Sequence, residues 1–180
     1  MSTAAFRRRT LLLTALLLLG LGLAEGARAA QFDTYKELGI FRDWVAYEGQ
    51  YQGKKICFAE SRPKTLDRRI AGRDLSAVRA TVTDRPADKV SGEIVFQTGI
   101  KIAPNVFADA DIDGNPFKLA TDPSGILWLP SRNEPAFLAA MRRGLDLTTK
   151  TPVGNGGTAN DTYSLRGLTA ALRAIDEACR

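Results

Sequence analysis

The last twenty residues, Asp161–Arg180, constrain the fold more than any other part of this sequence. They contain five apolar residues spaced three or four positions apart: Leu165, Leu168, Leu172, Ile175 and Cys179. This spacing places side chains on one stripe of an α-helix, and the charged residues of the segment fall off that stripe. The pattern therefore predicts an amphipathic helix with one buried face, on which Cys179 lies.

The first residues have the order of a secretory signal. Arg7, Arg8 and Arg9 are followed by the apolar segment Leu11–Ala24, which is shorter than the ~20 residues that a membrane-spanning helix needs. Ala27-Arg28-Ala29 is typical of a cleavage site. We expect residues 1–29 to be a signal peptide and residues 30–180 to form a single domain in the periplasm or cell envelope. An uncleaved membrane anchor is the alternative, and Sec and twin-arginine export both remain open.

Only one other cysteine, Cys57, is available to Cys179. Cysteine pairs in exported chains favour a disulfide, which would tie the terminal helix to the first strands. In the chain-entropy picture, closing so long a loop stabilises the fold by about 4–5 kcal/mol. A cysteine at a helix C-terminus is a poor site for a thiolate, so we expect a structural bond. Two separate buried thiols are the alternative.

Histidine is absent from the sequence. This excludes Ser-His-Asp and Cys-His catalysis and histidine-based metal sites. Of the net charge of +5, residues 1–29 carry +3 (four arginines and one glutamate), which leaves +2 for the remainder. That balance does not indicate a nucleic-acid partner. We expect no metal and no organic cofactor.

Short segments rich in β-branched and aromatic residues alternate with turn residues over most of the chain. Predicted strands include Phe41–Tyr47, Lys55–Glu60, Leu75–Thr83 and Val90–Gln97, with Gln31–Gly39 as a polar lead-in. Asp113-Gly114 is typical of a hairpin turn. Asn133 is predicted to cap a helix that ends at Arg143. The fold class is therefore mainly β: a β-sandwich, immunoglobulin-like or jelly-roll-like, with two helices in the C-terminal third.

Two clusters of charged residues have alternative interpretations. Asp109, Asp111, Asp113 and Gly114 match the first half of a calcium-binding loop, but position 12 would be Ala120 instead of glutamate, which favours a simple hairpin turn. A second cluster is basic: Lys54, Lys55, Lys64, Arg68, Arg69 and Arg73. A polyanion-binding patch is conceivable there, but a solvated basic surface is the default expectation.

Carboxylates and tryptophans supply the remaining candidates. Paired carboxylates can perform acid–base catalysis without histidine. Suitable residues are Asp43, Glu48, Glu60 and Asp161, although their spacing selects no pair. Trp44 and Trp128 each lie in an apolar segment and are predicted to be core residues.

Four blocks of residues cover nearly all of residues 30–180. They are Trp44 with Lys55-Ile56-Cys57; Val106 through Asp113-Gly114 to Phe117; Trp128 with Ala139-Ala140-Met141-Arg142-Arg143-Gly144; and Thr158 with Asp161-Thr-Tyr-Ser-Leu-Arg-Gly-Leu-Thr-Ala-Ala-Leu to Cys179. On these blocks the chain resembles the invasion-associated locus B family of exported bacterial proteins. The last block is the most specific of the four.

This resemblance implies a β-sandwich, an envelope location and an association with host-cell invasion, the phenotype that named the family. No catalytic residues are established for the family. Relatives often have a basic Ser-x-Arg-Gly-Thr segment where this chain has Gly154-Asn155-Gly156-Gly157-Thr158, without arginine. Any partner contact made by that segment is therefore in doubt here.

We expect a non-enzymatic protein that binds an unidentified envelope or host protein, or that stabilises the envelope. The alternatives are a periplasmic hydrolase that uses carboxylates or a serine, and a scaffold domain without a specific ligand. A deep pocket with two carboxylates within reach, one with a raised pKa, would favour the hydrolase. A flat exposed apolar patch would favour binding.

Overall fold

The computed structural model describes residues 34–154 and 156–180, so the predicted signal peptide lies outside the described residues. Eleven strands occur in these ranges: β1 (Tyr35–Phe41), β2 (Trp44–Tyr51), β3 (Lys54–Ser61), β4 (Thr65–Leu66), β5 (Arg79–Arg85), β6 (Val90–Gln97), β7 (Phe107–Ile112), β8 (Asn115–Thr121), β9 (Ile126–Trp128), β10 (Asp146–Pro152) and β11 (Thr158–Ser164). The two α-helices are α1 (Glu134–Arg143) and α2 (Leu168–Ala178). Short 3-10 turns occupy Pro86–Asp88 and Ser131–Asn133.

The strands form one continuous sheet, in the order β1-β2-β3-β5-β6-β9-β8-β7-β10-β11-β4. This sheet folds over on itself, because strands far apart in the order meet across the core. Nε1 of Trp44 in β2 donates to the carbonyl of Ser164 in β11 at 2.9 Å, and the rings of Phe96 in β6 and Tyr163 in β11 lie 5.7 Å apart. The predicted mainly β fold with two late helices is confirmed.

One stretch of chain bridges the two halves of the folded sheet. β3 pairs with β2 and β5, whereas β4, only a few residues later, pairs with β11. The backbone N–H of Lys64 donates to the carbonyl of Thr162 at 2.8 Å just before β4 begins. The segment from β3 to β4 therefore crosses from one half of the sheet to the other.

The predicted strand Phe41–Tyr47 is wrong, because the chain reverses inside it. β1 ends at Phe41 and β2 begins at Trp44, and Arg42 between them has the left-handed φ of 57° that a tight hairpin requires. Most of β1 falls in the segment that was predicted to be a polar lead-in. The Asp113-Gly114 hairpin is confirmed: it joins β7 to β8 with φ values of 47° and 88°.

Two predicted boundaries shift for local reasons. The predicted strand Leu75–Thr83 starts only at Arg79, because the side chain of Asp74 accepts the N–H of Ser76 at 2.9 Å and forms a turn. Helix α1 begins after Asn133, as predicted, but that side chain makes no capping hydrogen bond. Phe137 of this helix packs in the core, with its ring 6.3 Å from that of Phe96.

Helix α2 covers the inner face of the first three strands. Its apolar stripe is buried as predicted at Leu168, Leu172 and Ile175, whereas Leu165 is buried but precedes the helix. Gly167, with φ of 93°, starts the helix, and a Cβ there would lie 1.7 Å from the carbonyl oxygen of Phe41. Only glycine therefore lets the helix begin this close to the β1–β2 hairpin. Neither helix of the described residues is long and apolar enough to cross a lipid bilayer.

Candidate functional site

The structure joins Cys57 and Cys179 by a disulfide bond, the pairing expected from the sequence. The S–S distance is 2.08 Å and the Cα atoms lie 6.0 Å apart. Cys57 is fully buried and Cys179 is 9% exposed. Nearby, Nζ of Lys55 donates to the carbonyl of Ala178 at the end of α2. Both contacts fasten the last turn of α2 to β3, as expected of a disulfide that holds the fold together.

The three aspartates of the calcium-like segment point to three different partners. Asp109 forms an ion pair with Lys118 across the hairpin. Asp111 accepts the N–H of Gly114 at 2.9 Å, and Asp113 accepts the N–H of Leu145 at 2.7 Å. Among residues 34–154 and 156–180, no three His, Cys, Asp or Glu side chains are placed to share a metal ion.

The expectation of a solvated basic surface is wrong for Arg73. Its side chain is 0% exposed and forms a two-pronged ion pair with the carboxylate of Asp161, which is 1% exposed. Nε of Arg73 also donates to the carbonyl of Thr98 at 2.9 Å, and Nη1 donates to that of Asp67 at 3.0 Å. Bidentate geometry and the additional acceptors satisfy the buried guanidinium. Arg73 therefore pins the segment between β4 and β5 to β11.

Most of the carboxylates proposed from the sequence are held in separate ion pairs. Asp161 is held by Arg73, Glu48 pairs with Lys36 at 2.9 Å, and Glu60 pairs with Arg79 at 3.5 Å. Asp43, the fourth, lines a 270 Å³ cavity together with Glu60. Three of the four candidates are therefore held in ion pairs, and only Asp43 and Glu60 share a cavity.

A different carboxylate pair, missed from the sequence, joins β5 to α2. Asp84 and Asp176 flank a 490 Å³ cavity that Cys179 also lines. Asp84 is 6% exposed and accepts the N–H of Gly92 at 2.8 Å. Burial raises the pKa of Asp176, and the charge and hydrogen bond of Asp84 raise it further. No sequence signal links these two residues, because they are distant in the chain and lie in elements of different type.

The outer face of the first half-sheet carries a groove that the sequence analysis did not predict. Alternation along the strands sends Trp44, Ala46, Cys57 and Ala59 to the core. It sends a different set to the opposite face. These outward side chains line a depression that we call the tyrosine groove. Its lining includes Tyr47 and Tyr51 of β2, Ile56 and Phe58 of β3, and Arg79 and Arg85 of β5.

Aromatic rings form one side of the tyrosine groove. Tyr47 stacks on Phe58 at 5.0 Å between centroids, and Tyr35 meets Phe58 edge-on at 5.1 Å. Tyr35 reaches this position because Gly49 lies beneath it: a Cβ there would lie 2.5 Å from the Tyr35 ring. Two cavities of 360 and 410 Å³ share Tyr35 and Ile56 in their lining. The groove is therefore an elongated depression with an aromatic wall.

Ion pairs surround these rings. Arg79 pairs with Glu60 at 3.5 Å, and Lys54 pairs with Asp88 at 2.7 Å. Arg85 donates through Nη2 to Glu93 at 3.0 Å. Partial burial raises the pKa of Tyr47, and the negative charges of Glu60 and Glu37 add to this effect, so its hydroxyl stays protonated at neutral pH.

The two tryptophans differ in environment. Trp44 is fully buried, as predicted. Trp128 is 36% exposed, so its prediction as a core residue is wrong. Its strand β9 pairs with β6, where Trp128 is opposite Val95 on the outer face. Its side chain lies outside the core because β9 presents Leu127 inwards instead.

Comparisons with known proteins give one structural likeness. No protein family model and no curated protein sequence matches the chain. The fold is similar to the crystal structure of invasion associated protein B from Bartonella henselae, with a TM-score of 0.53 and 17% sequence identity. The match covers 81% of this chain and 96% of that one. This likeness supports a remote relationship of fold.

Proposed function

We propose that this chain is an exported envelope protein of the invasion-associated locus B type, which binds a protein partner without catalysing a reaction. The fold likeness, the signal-like first residues and the disulfide support this proposal, because structural disulfides persist in oxidising compartments. The same proposal includes a role in host-cell interaction, because the family that the chain resembles is associated with host-cell invasion.

The tyrosine groove carries the proposal of a binding function. Protein-binding sites combine an apolar centre rich in tyrosine and arginine with a polar rim. The groove has this composition, with Tyr47 and Phe58 at its centre and Arg79 and Arg85 along its edge. Aromatic rings at a surface have no role in the core below, which the opposite faces of the same strands already fill.

Site-specific photo-crosslinking in the cells that produce the protein tests the proposal. A benzophenone amino acid replaces Tyr51, which is 48% exposed at the end of the groove. The control position is Phe107, which is 65% exposed on β7 outside the groove. We expect an envelope-fraction adduct from position 51 that Phe58→Ala removes, and none from position 107. Equal adducts from both positions, or a protein confined to the cytosol, would contradict the proposal.

A hydrolase is the second candidate, and one observation favours it. Asp84 and Asp176 face one cavity, and the raised pKa of Asp176 resembles that of a general acid. If the chain hydrolyses an envelope polymer, Asp84→Asn and Asp176→Asn should each abolish turnover, whereas Glu177→Gln, on the same helix, should not. Turnover that survives both aspartate substitutions would eliminate this candidate.

A further inference from the structure

The tyrosine groove runs lengthwise along β3. Lys54, Ile56, Phe58 and Glu60 follow one another at two-residue steps on the outer face, which corresponds to about 20 Å at ~3.3 Å per residue. Tyrosines of β2 form one wall, and arginines of β5 form the other. Because β3 is paired on both sides, its backbone offers no free edge to a ligand. Recognition must therefore come from side chains.

Cations outnumber carboxylates among the charged side chains that line this groove: Lys54, Lys55, Arg79 and Arg85 against Glu60 and Asp88. Both carboxylates are engaged in ion pairs: Glu60 with Arg79 and Asp88 with Lys54. Each guanidinium and ammonium keeps further N–H groups, because Arg has five and Lys has three. Within the described part of the chain, the hydroxyls of Tyr47 and Tyr51 make no hydrogen bond. A ligand that fits this surface is rich in acceptors and poor in donors.

A polyproline II segment has this chemistry. Proline contributes a carbonyl but no N–H, and the carbonyls of a polyproline II helix have no internal partners. At ~3.1 Å per residue, about six residues would occupy the 20 Å groove. Their pyrrolidine rings would pack against Tyr47 and Phe58, as proline-rich segments do in other aromatic-lined grooves.

We infer that the tyrosine groove binds an extended, proline-rich segment of a partner protein in the polyproline II conformation. This inference rests on the proposed binding function and names its ligand. A glycan would also stack on tyrosines, but it brings about as many hydroxyl donors as acceptors, and the groove's carboxylates are already paired. The groove therefore matches the proline segment better.

The test is a titration of the purified chain with an uncharged, end-blocked decaproline, monitored by two-dimensional NMR. Two other ligands are run in parallel: a glycine-serine peptide of equal length and a chitin oligosaccharide. We expect saturable shifts from decaproline alone, confined to β2, β3 and β5. Tyr47→Ala should weaken binding about tenfold. Tyr47→Phe keeps the ring and removes the donor, so it should weaken binding about threefold to fivefold.

Phe107→Ala, which also removes an exposed ring, should leave the affinity unchanged. Unfolding curves for each variant separate lost binding from lost structure. The inference is overturned if decaproline causes no shifts, if the oligosaccharide binds instead, or if Tyr47→Ala has no effect. If decaproline fails while the adduct at position 51 persists, the groove binds another kind of partner and the proposed function stands. If both fail, the proposed function fails as well.

Discussion

Two attachments hold peripheral segments to the sheet, and they work by different physics. The helix attachment consists of the Cys57–Cys179 disulfide and the Lys55–Ala178 hydrogen bond, and it fastens α2 to β3. The loop attachment consists of Arg73 with Asp161, and it fastens the segment between β4 and β5 to β11. One is covalent; the other is a desolvated ion pair.

The difference determines how each attachment fails. A disulfide acts largely by restricting the unfolded chain, so removing it takes away a constraint and leaves no unsatisfied group behind. A buried ion pair exists only in the folded state, and removing one partner leaves the other charge unpaired in the core. The loop attachment should therefore be the more sensitive to single substitutions.

Breaking the loop attachment should have the largest effect. Asp161→Ala leaves the guanidinium of Arg73 buried without its carboxylate and should lower the free energy of unfolding by about 3–5 kcal/mol. Urea denaturation measures this loss. The double variant Arg73→Met/Asp161→Leu is the matched control, because it removes both charges and should recover much of the stability. If the double variant is no more stable than Asp161→Ala, the unpaired charge is not the cause.

Removing the disulfide of the helix attachment should have the second-largest effect on the free energy of unfolding. Cys57→Ser/Cys179→Ser should lower the free energy of unfolding by about 2–5 kcal/mol. A reductant should lower the melting temperature of the wild type and leave that of the double serine variant unchanged. Mass spectrometry of the unreduced protein provides an independent check, and free thiols there would refute the bond.

Lys55→Met should lower the free energy of unfolding by less than loss of the disulfide does. It keeps the aliphatic stem of the side chain and removes the cation at the C-terminal end of α2, at a cost of about 0.5–1 kcal/mol. A thermodynamic cycle with the double serine variant measures coupling within the helix attachment. We expect a larger cost once the disulfide no longer holds Ala178 in place. Equal costs in both backgrounds would mean that the two contacts act independently.

The smallest effect should be a pH dependence at the same end of α2. The pKa of Asp176 is raised in the folded protein, above the unfolded value of about 3.9. The folded state thus binds this proton more tightly than the unfolded state does. The resulting stabilisation is complete below the unfolded pKa and is lost as pH rises through the raised pKa.

Asp176→Asn should therefore gain stability relative to wild type as pH rises from about 4 to neutrality, by less than about 1 kcal/mol for a partly exposed group. Melting temperatures across this range measure the change, with Glu177→Gln as the control. Parallel profiles for wild type and Asp176→Asn would contradict a raised pKa of Asp176 in the folded protein.

The sequence predicted the disulfide of the helix attachment, but neither its Lys55–Ala178 hydrogen bond nor the loop attachment. Periodicity alone placed Cys179 on a buried face, and one partner was available. Arg73, in contrast, lies among lysines and arginines that resemble a solvated surface, and nothing local indicates its pairing with Asp161. Such a pair becomes visible only when the fold brings distant segments together.

The tyrosine groove was missed for a different reason. On β2 and β3, small alanines face α2 while Tyr47 and Phe58 face outwards. Hydrophobicity by itself assigns the larger rings to the core, and here the close approach of a helix requires the reverse. Half-buried rings above a core of small residues are therefore a feature that hydrophobic patterning along the sequence does not reveal.

The place of α2 in the chain order sets the timing of folding. The inner face of β1–β3 is closed by α2, and β4 needs β11 as its partner. The first strands therefore cannot complete their packing until the last residues have been synthesised. Contacts between residues so distant in sequence also slow folding. During synthesis, the strands around Trp44 can gain their cover only after residues 168–179 have emerged. Until then, the apolar inner face of these first strands has no cover.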